Sequence, residues 1–245
     1  MKLVLISDTH NRHKHLTSKG TNYFLPPGDL LIHAGDFSGV GGKDEVESFL
    51  EWCTKFASNY TYGIVFVAGN HDRSFDPKFN RYGEDTEGVK PVWLQKELLG
   101  LPSNVAYLEN SSVNIGGVNI WGSPITPWFH GDRWAFNKHR GAEIWEVWDQ
   151  IPQETDVVVT HGPVSYKLDY IPGTQEYVGC DQLRTAVQKV KPLIHVSGHI
   201  HESYGYDYDV DTHYFNASTC DEFYYPSNKP WEVEADWSNR EINIL

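Results

Sequence analysis

The chain lacks the features of membrane, secreted and nucleic-acid-binding proteins. Its longest apolar runs have about four to seven residues, far short of the ~20 needed to cross a bilayer. It has three cysteines, Cys53, Cys180 and Cys220, and none pairs closely with another, so no disulfide framework is expected. Cys53 lies on an apolar helical pattern and reads as core. The opening apolar run, Leu3–Ile6, is short and soon meets the carboxylate Asp8, whereas a secretory segment would be longer and end in small residues. Asn-x-Ser/Thr sequons at Asn59, Asn110 and Asn216 therefore carry little weight. The expected compartment is a reducing cytoplasm.

Positive charge is also scarce. Twenty Lys and Arg stand against thirty-three Asp and Glu, for a net charge of −13. Polynucleotide binding rests on Lys and Arg displacing counterions, so a broad basic grip on nucleic acid is excluded. Adhesion to an anionic membrane is disfavoured. A small phosphate substrate stays open, provided a cleft reverses the sign locally. No Gly/Ser/Pro-rich stretch, charge block or internal repeat divides the 245 residues, and one domain over 1–245 is expected. Hydrophobic residues at 40% and aromatics at 14% are enough for a sizeable core.

Five short, β-branched-rich runs read as buried strands: Lys2–Ile6, Leu30–His33, Gly63–Ala68, Val157–Thr160 and Leu193–Ser197. Helical spacing marks Asp44–Tyr60, Cys180–Val190 and Glu143–Gln150. Hairpins are expected around Gly116-Gly117 and around Asp209–Asp211, and Trp231–Ala235 reads as an edge strand. The mixture predicts an α/β (α+β layered) domain with a sheet covered by helices.

The residues just past each run carry the information. The five runs lead into Asp8-Thr9-His10, Gly35-Asp36, Gly69-Asn70-His71-Asp72, His161-Gly162 and Gly198-His199-Ile200-His201. Ligand sites of open α/β sheets lie beyond the carboxyl ends of the strands. Five strands are therefore expected to deliver metal-type side chains to one edge. Asp8/His10 and His199/His201 are i, i+2 pairs, which in extended chain point the same way. Any single piece reads as an ordinary turn; five in order do not. His33 and His195 lie inside strand runs and read as hydrogen-bonded core. His13, His15, His139 and His213 read as solvated or locally satisfied.

These blocks, in this order, resemble the calcineurin-like metallophosphoesterase superfamily, in the branch called metallophosphoesterase domain-containing. Longer stretches carry the likeness too, among them His33–Phe37, Thr126–Phe129, Thr160–Pro163, Val178–Cys180 and Asn216–Thr219. The resemblance implies a β-sandwich flanked by helices with a two-metal site at one edge. It implies that Asp8, His10, Asp36 and His201 hold one divalent ion, and Asp36, Asn70, His161 and His199 the other. Imidazole, carboxylate and amide ligands suit Mn, Fe, Zn or Ni, with Mg admitted; Mn is the leading expectation. The chain departs from the Ser/Thr protein phosphatases. Phe37-Ser38-Gly39 follows Gly35-Asp36, Ala68 precedes Gly69, and Asp72 stands where they have Glu. Arginines that grip a phosphomonoester are thus missing from those positions.

The expected reaction is hydrolysis of a small phosphodiester by in-line attack of a metal-bridging hydroxide. His71 is the candidate for protonating the leaving alkoxide, and Asp72 for orienting His71. A plain turn carboxylate is the other reading of Asp72. Trp128 and Phe129, with Trp134, Phe136 and Arg140, form either an aromatic lip for a nucleobase with Arg140 near phosphate, or a loop packed on the core. The expected partner is a small phosphodiester or nucleotide, with a 2′,3′- or 3′,5′-cyclic nucleotide leading and a homodimer left open. A phosphomonoesterase and a nucleotide-binding regulatory protein are the rival readings.

Overall fold

The computed structural model describes residues 1–17, 20–21, 23–79, 89–131 and 133–245. The first strands are β1 (Lys2–Ile6), β2 (Leu30–His33), β3 (Ile64–Phe66), β4 (Val105–Tyr107), β5 (Ser111–Ile115) and β6 (Val118–Ser123). Two short strands come next, β7 (Thr126–Pro127) and β8 (Asn137–Lys138), then β9 (Val157–Thr160), β10 (Tyr170–Ile171), β11 (Glu176–Tyr177) and β12 (Ile194–Ser197). The last are β13 (Gly205–Tyr208), β14 (His213–Asn216), β15 (Trp231–Asp236) and β16 (Glu241–Ile244). Helices are α1 (Lys43–Phe56), α2 (Val92–Leu99), α3 (Ala142–Trp148) and α4 (Asp181–Val190).

Two six-stranded sheets carry the fold. Their orders are β16-β15-β1-β2-β3-β4 and β13-β14-β12-β9-β6-β5. In the first, β1 through β4 run parallel; in the second, β14, β12, β9 and β6 do. Side chains alternate across each strand, so β1 sends Leu3 and Leu5 one way and Val4 and Ile6 the other. Leu3 and Leu5 join Ile32, Val65, Val159, Val196 and Phe215 in a core between the sheets. Val4 and Ile6 join Val46, Phe49 and Cys53 of α1 on an outer face. Trp121 and Val158 meet Ile144 of α3 and Leu183 and Val187 of α4 on the other. Strands buried on both faces read as unbroken apolar runs, which is why β1, β2, β9 and β12 are legible in the sequence.

The chain is thus a β-sandwich flanked by helices. Among the described residues no helix is long and apolar enough to cross a membrane. The helix expected at Asp44–Tyr60 ends at Phe56 and tightens into a 3₁₀ turn over Ala57–Asn59. Cys180 is the N-cap of α4, its Sγ accepting from the Leu183 N–H. Trp231–Ala235 is not an edge. A turn pinned by Asp236, whose Oδ1 accepts from the Ser238 and Asn239 N–H groups, brings β16 outside it.

His33 and His195 are buried, as expected of core residues. His33 Nε2 is 2.9 Å from Thr9 Oγ1, while its Nδ1 accepts from the Gly35 N–H. His195 Nε2 donates to Thr160 Oγ1 at 2.8 Å, since that hydroxyl itself donates to the Gly162 carbonyl. Burial pushes both rings down to about 3, which keeps them neutral. His13, expected to be solvated or locally satisfied, is not solvated: it is buried against Phe49 and Trp52, with Nε2 3.3 Å from Ser48 Oγ.

Candidate metal centre

Five parallel strands end at one edge of the sandwich, and each end supplies site residues. Asp8 and His10 follow β1, Asp36 follows β2, and Asn70, His71 and Asp72 follow β3. His161 follows β9; His199 and His201 follow β12. A parallel bridge between Ser7 and Ser218 joins the two sheets beside the site.

The backbone here is not extended. Asp8, His10, Asp36 and His199 have φ of 50°, 38°, 55° and 69°. Non-glycine residues rarely adopt this left-handed region, and each costs about 1–3 kcal/mol unless its surroundings over-determine it. Asp8 and His10 still converge on one group of donor atoms, but His199 and His201 do not point alike, as they would in extended chain. His199 and His201 turn to different partners because His199 is left-handed and His201 opens a 3₁₀ turn. Glycine is required by close approach at two ends. A Cβ on Gly35, φ +101°, would lie 2.6 Å from the Ala68 carbonyl, and one on Gly198 would overlap the Asp8 carboxylate.

Donor atoms fall into three overlapping groups within 4.8 Å: Asp8–His10–His201, His10–Asp36–His71 and Asp36–His161–His199. Asn70 Oδ1 lies 3.0 Å from His161 Nε2, and Asp36 Oδ2 lies 3.2 Å from the same nitrogen. Four rings donate Nδ1–H to backbone carbonyls: His10 to Ser38 at 3.2 Å, His71 to Gly39 at 2.6 Å, His161 to Ala34 at 2.9 Å and His201 to Asp221 at 2.8 Å. That bond sets which ring nitrogen faces inward, leaving Nε2 of His10, His161 and His201 as a ligand atom and Nε2 of His71 as its remaining ring position. His10 and His201 present Nε2 atoms only 3.2 Å apart, a contact that needs a proton or a cation between them. Imidazole, carboxylate and amide oxygen together suit a divalent transition ion. The residues present fit such ions.

Protons supply the positive charge when the ions are away. Burial opposes the charge on His161, but the Asp36 carboxylate beside it holds the ring up at about 9. Burial also opposes His201, and its bond to Asp8 raises it to about 9. Burial would raise both carboxylates, yet the His201 and His161 charges hold Asp8 well below its usual range, and His161 and His71 do so for Asp36. Burial pushes His10 down to about 4 and His199 to about 3.

Asp72 does not orient His71. Its carboxylate accepts from the backbone N–H groups of Asp36 at 2.9 Å, Ser38 at 2.9 Å and Gly69 at 2.8 Å, and from Ser38 Oγ at 2.6 Å. It ties the β2 and β3 end loops together; His71 is held by the Gly39 carbonyl instead. Trp134 lies 4.4 Å from the His71 ring, and Phe129 lies 5.0 Å from His199. Trp128 is stacked on His139, and Phe136 is core. Arg140 donates to the carbonyls of Val178 and Gly179, both at 2.7 Å. Trp128, Phe129 and Arg140 line one cavity with His199. Two further contacts involve residues not expected in the site. Ser218 Oγ donates to Asp8 Oδ2 at 2.9 Å, and Tyr224 lies 4.7 Å from His10.

The family model for calcineurin-like phosphoesterases matches residues 1–203. Metallophosphoesterase domain-containing protein 1 of Homo sapiens and that of Mus musculus are each 40% identical over 242 residues, covering 95% of this chain and 70% of theirs. The fold is shared with phosphopantetheinyl hydrolase from Mycobacterium tuberculosis at TM-score 0.58 and 16% identity, covering 100% of this chain and 95% of that one. TT1561 of Thermus thermophilus shares it at TM-score 0.56 and 10% identity, covering 100% and 97%.

This geometry makes two outcomes measurable. Asp72→Asn turns an amide toward N–H groups that need an acceptor, so stability should fall by about 1–3 kcal/mol in urea melts. Affinity for Mn²⁺ should fall roughly 10–100-fold with it; unchanged stability would contradict the loop-tying role. Separately, His161 and His201 carry protons at pH 7 and must lose them to a metal ion. Calorimetry in buffers of different ionisation enthalpy should find about two protons released on Mn²⁺ binding. Affinity should climb as pH rises towards about 9, where both rings become neutral; release of no protons would contradict the assignment.

Proposed function

The chain belongs to the calcineurin-like phosphoesterase family, and on that premise we propose that it is a two-metal phosphodiesterase acting on a small soluble diester, a 2′,3′- or 3′,5′-cyclic nucleotide leading. Asp8, His10, Asp36 and His201 would hold one Mn²⁺ ion. Asp36, Asn70, His161 and His199 would hold the second, with Asp36 shared. Such ions polarise phosphoryl oxygens and lower the pKa of water.

The chain's own residues do the rest. His71 commits Nδ1–H to Gly39, so Nε2 is the atom that carries a proton to the leaving alkoxide. Trp134 against the ring limits its rotation. Ser218 and the His199 N–H hold the Asp8 carboxylate in place.

The observation behind diester preference is where the cations go. Among the described residues no lysine or arginine bonds to the clustered groups, and Arg140 is committed to two backbone carbonyls. A diester carries one negative charge fewer than a monoester dianion and needs less cationic grip. Metal-stripped protein should hydrolyse bis-p-nitrophenyl phosphate only after Mn²⁺ is added, and faster than p-nitrophenyl phosphate. Preference for the monoester would make it a phosphatase instead. No turnover of either, with nucleotide still bound, would make it a binding protein.

A further inference from the structure

The centre has two flanks, and they differ. On the His161–His199 side the site opens into a cavity of about 350 Å³, lined by Trp128, Phe129, Val178, Ile200 and His199. On the His10–His201 side stands Tyr224. Its ring lies 4.7 Å from His10 and 5.3 Å from His201, edge-on to both, and 6.0 Å from His71. One phenol thus stands against three imidazoles on a single flank.

The backbone of Tyr224 is fixed by its loop, while the residue as a whole is 45% exposed. Its φ of 63° is one that L side chains rarely adopt. The loop is closed by the Asp221 N–H to the Tyr225 carbonyl at 2.9 Å and the Tyr224 N–H to the Asp221 carbonyl at 2.9 Å. Asp221 Oδ1 accepts from the Phe223 and Tyr225 N–H groups, both at 3.0 Å. The Asp221 carbonyl also accepts from His201 Nδ1, so one peptide group holds both the Tyr224 backbone and a proposed metal ligand.

We propose that Tyr224 is a specificity-determining wall. It closes the His10–His201 flank, so the ester group that stays on phosphorus must lie over His199, in the cavity. The proposal rests on the phosphodiesterase reading. An acyclic diester has two organic groups, while a cyclic nucleotide has one group bound through both ester oxygens. In either case one ester oxygen departs past His71, and the group still bound to phosphorus needs lateral room, which the cavity beside His199 offers. The protein therefore takes diesters whose retained group is apolar or aromatic on one side and fits the cavity.

The test uses two esters with the same leaving group, methyl p-nitrophenyl phosphate and bis-p-nitrophenyl phosphate. They differ only in the group retained. Val178→Trp fills the cavity and should lower the kcat/KM ratio of the bis ester to the methyl ester by roughly tenfold or more. Adding Tyr224→Ala opens the other flank and should restore most of that loss. Adding Tyr224→Phe, which keeps the ring, should restore none. Calorimetric binding of diphenyl phosphate relative to dimethyl phosphate should follow the same order without turnover. Thr174→Trp, from an exposed position on the cavity rim, repeats the test if Val178→Trp disturbs folding. A ratio indifferent to filling, or restored equally by Ala and Phe, overturns the wall while leaving the phosphodiesterase reading intact. Failure of the unsubstituted protein to hydrolyse either ester overturns both.

Discussion

A buried carboxylate stays ionised only where cations or hydrogen-bond donors surround it, and the whole site answers that constraint at Asp36. Its side chain is 3% exposed, and Asp8 beside it is fully buried. Desolvating a charge costs several kcal/mol even after relaxation. Asp36 Oδ1 is met by the His71 N–H and Oδ2 by His161. Asp8 is met by His201, Ser218 and the His199 N–H. Protonated imidazoles supply the compensating charge without ions; divalent ions would supply more of it and leave a net positive site within a chain of charge −13. The same positive charge is what a phosphoester needs.

The sandwich keeps this arrangement in place despite its backbone strain. Four left-handed non-glycine residues sit at the strand ends, and each would relax if its neighbours allowed. They are held by hydrogen bonds that cross between loops: Asp8 N–H to Gly35, His10 N–H to Asp36, and the Asp72 carboxylate across the β2 and β3 ends. Beneath them lie strands buried on both faces, which do not yield. Rigid strands below and strained turns above are a common way to fix side chains whose positions matter. The two flanks then divide the labour, with Tyr224 closing one and an apolar cavity opening the other.

Much of this was legible in the residues. Strands β1, β2, β9 and β12 announce themselves because burial on both faces makes them uniformly apolar, and each runs into a cluster of His, Asp, Asn and Gly. The role of Asp72 was not legible. Its partners are backbone N–H groups some thirty-five residues away, which leave no side-chain pattern. Strands β7, β8, β10 and β11 have two residues each, too few for periodicity to register. Helix α2 was missed because only Leu94 of its eight residues is buried, so no apolar face recurs. Tyr224 lies beyond the last block of the resemblance, in a loop where three aromatics in a row carry no spacing signal. Alternation breaks down at the ligands because strand geometry ends before each of them, from Thr160 directly before His161 to Phe66 well before Asn70.

The chemistry depends on whether these side chains gather two ions around one shared carboxylate. Crystals of the Mn²⁺-loaded protein, measured above and below the manganese absorption edge, test that directly. Two anomalous peaks are expected, about 3.5–4 Å apart with Asp36 between them. Asp36→Asn should abolish at least one. A single peak, none, or two peaks that Asp36→Asn leaves untouched would contradict the shared-carboxylate centre.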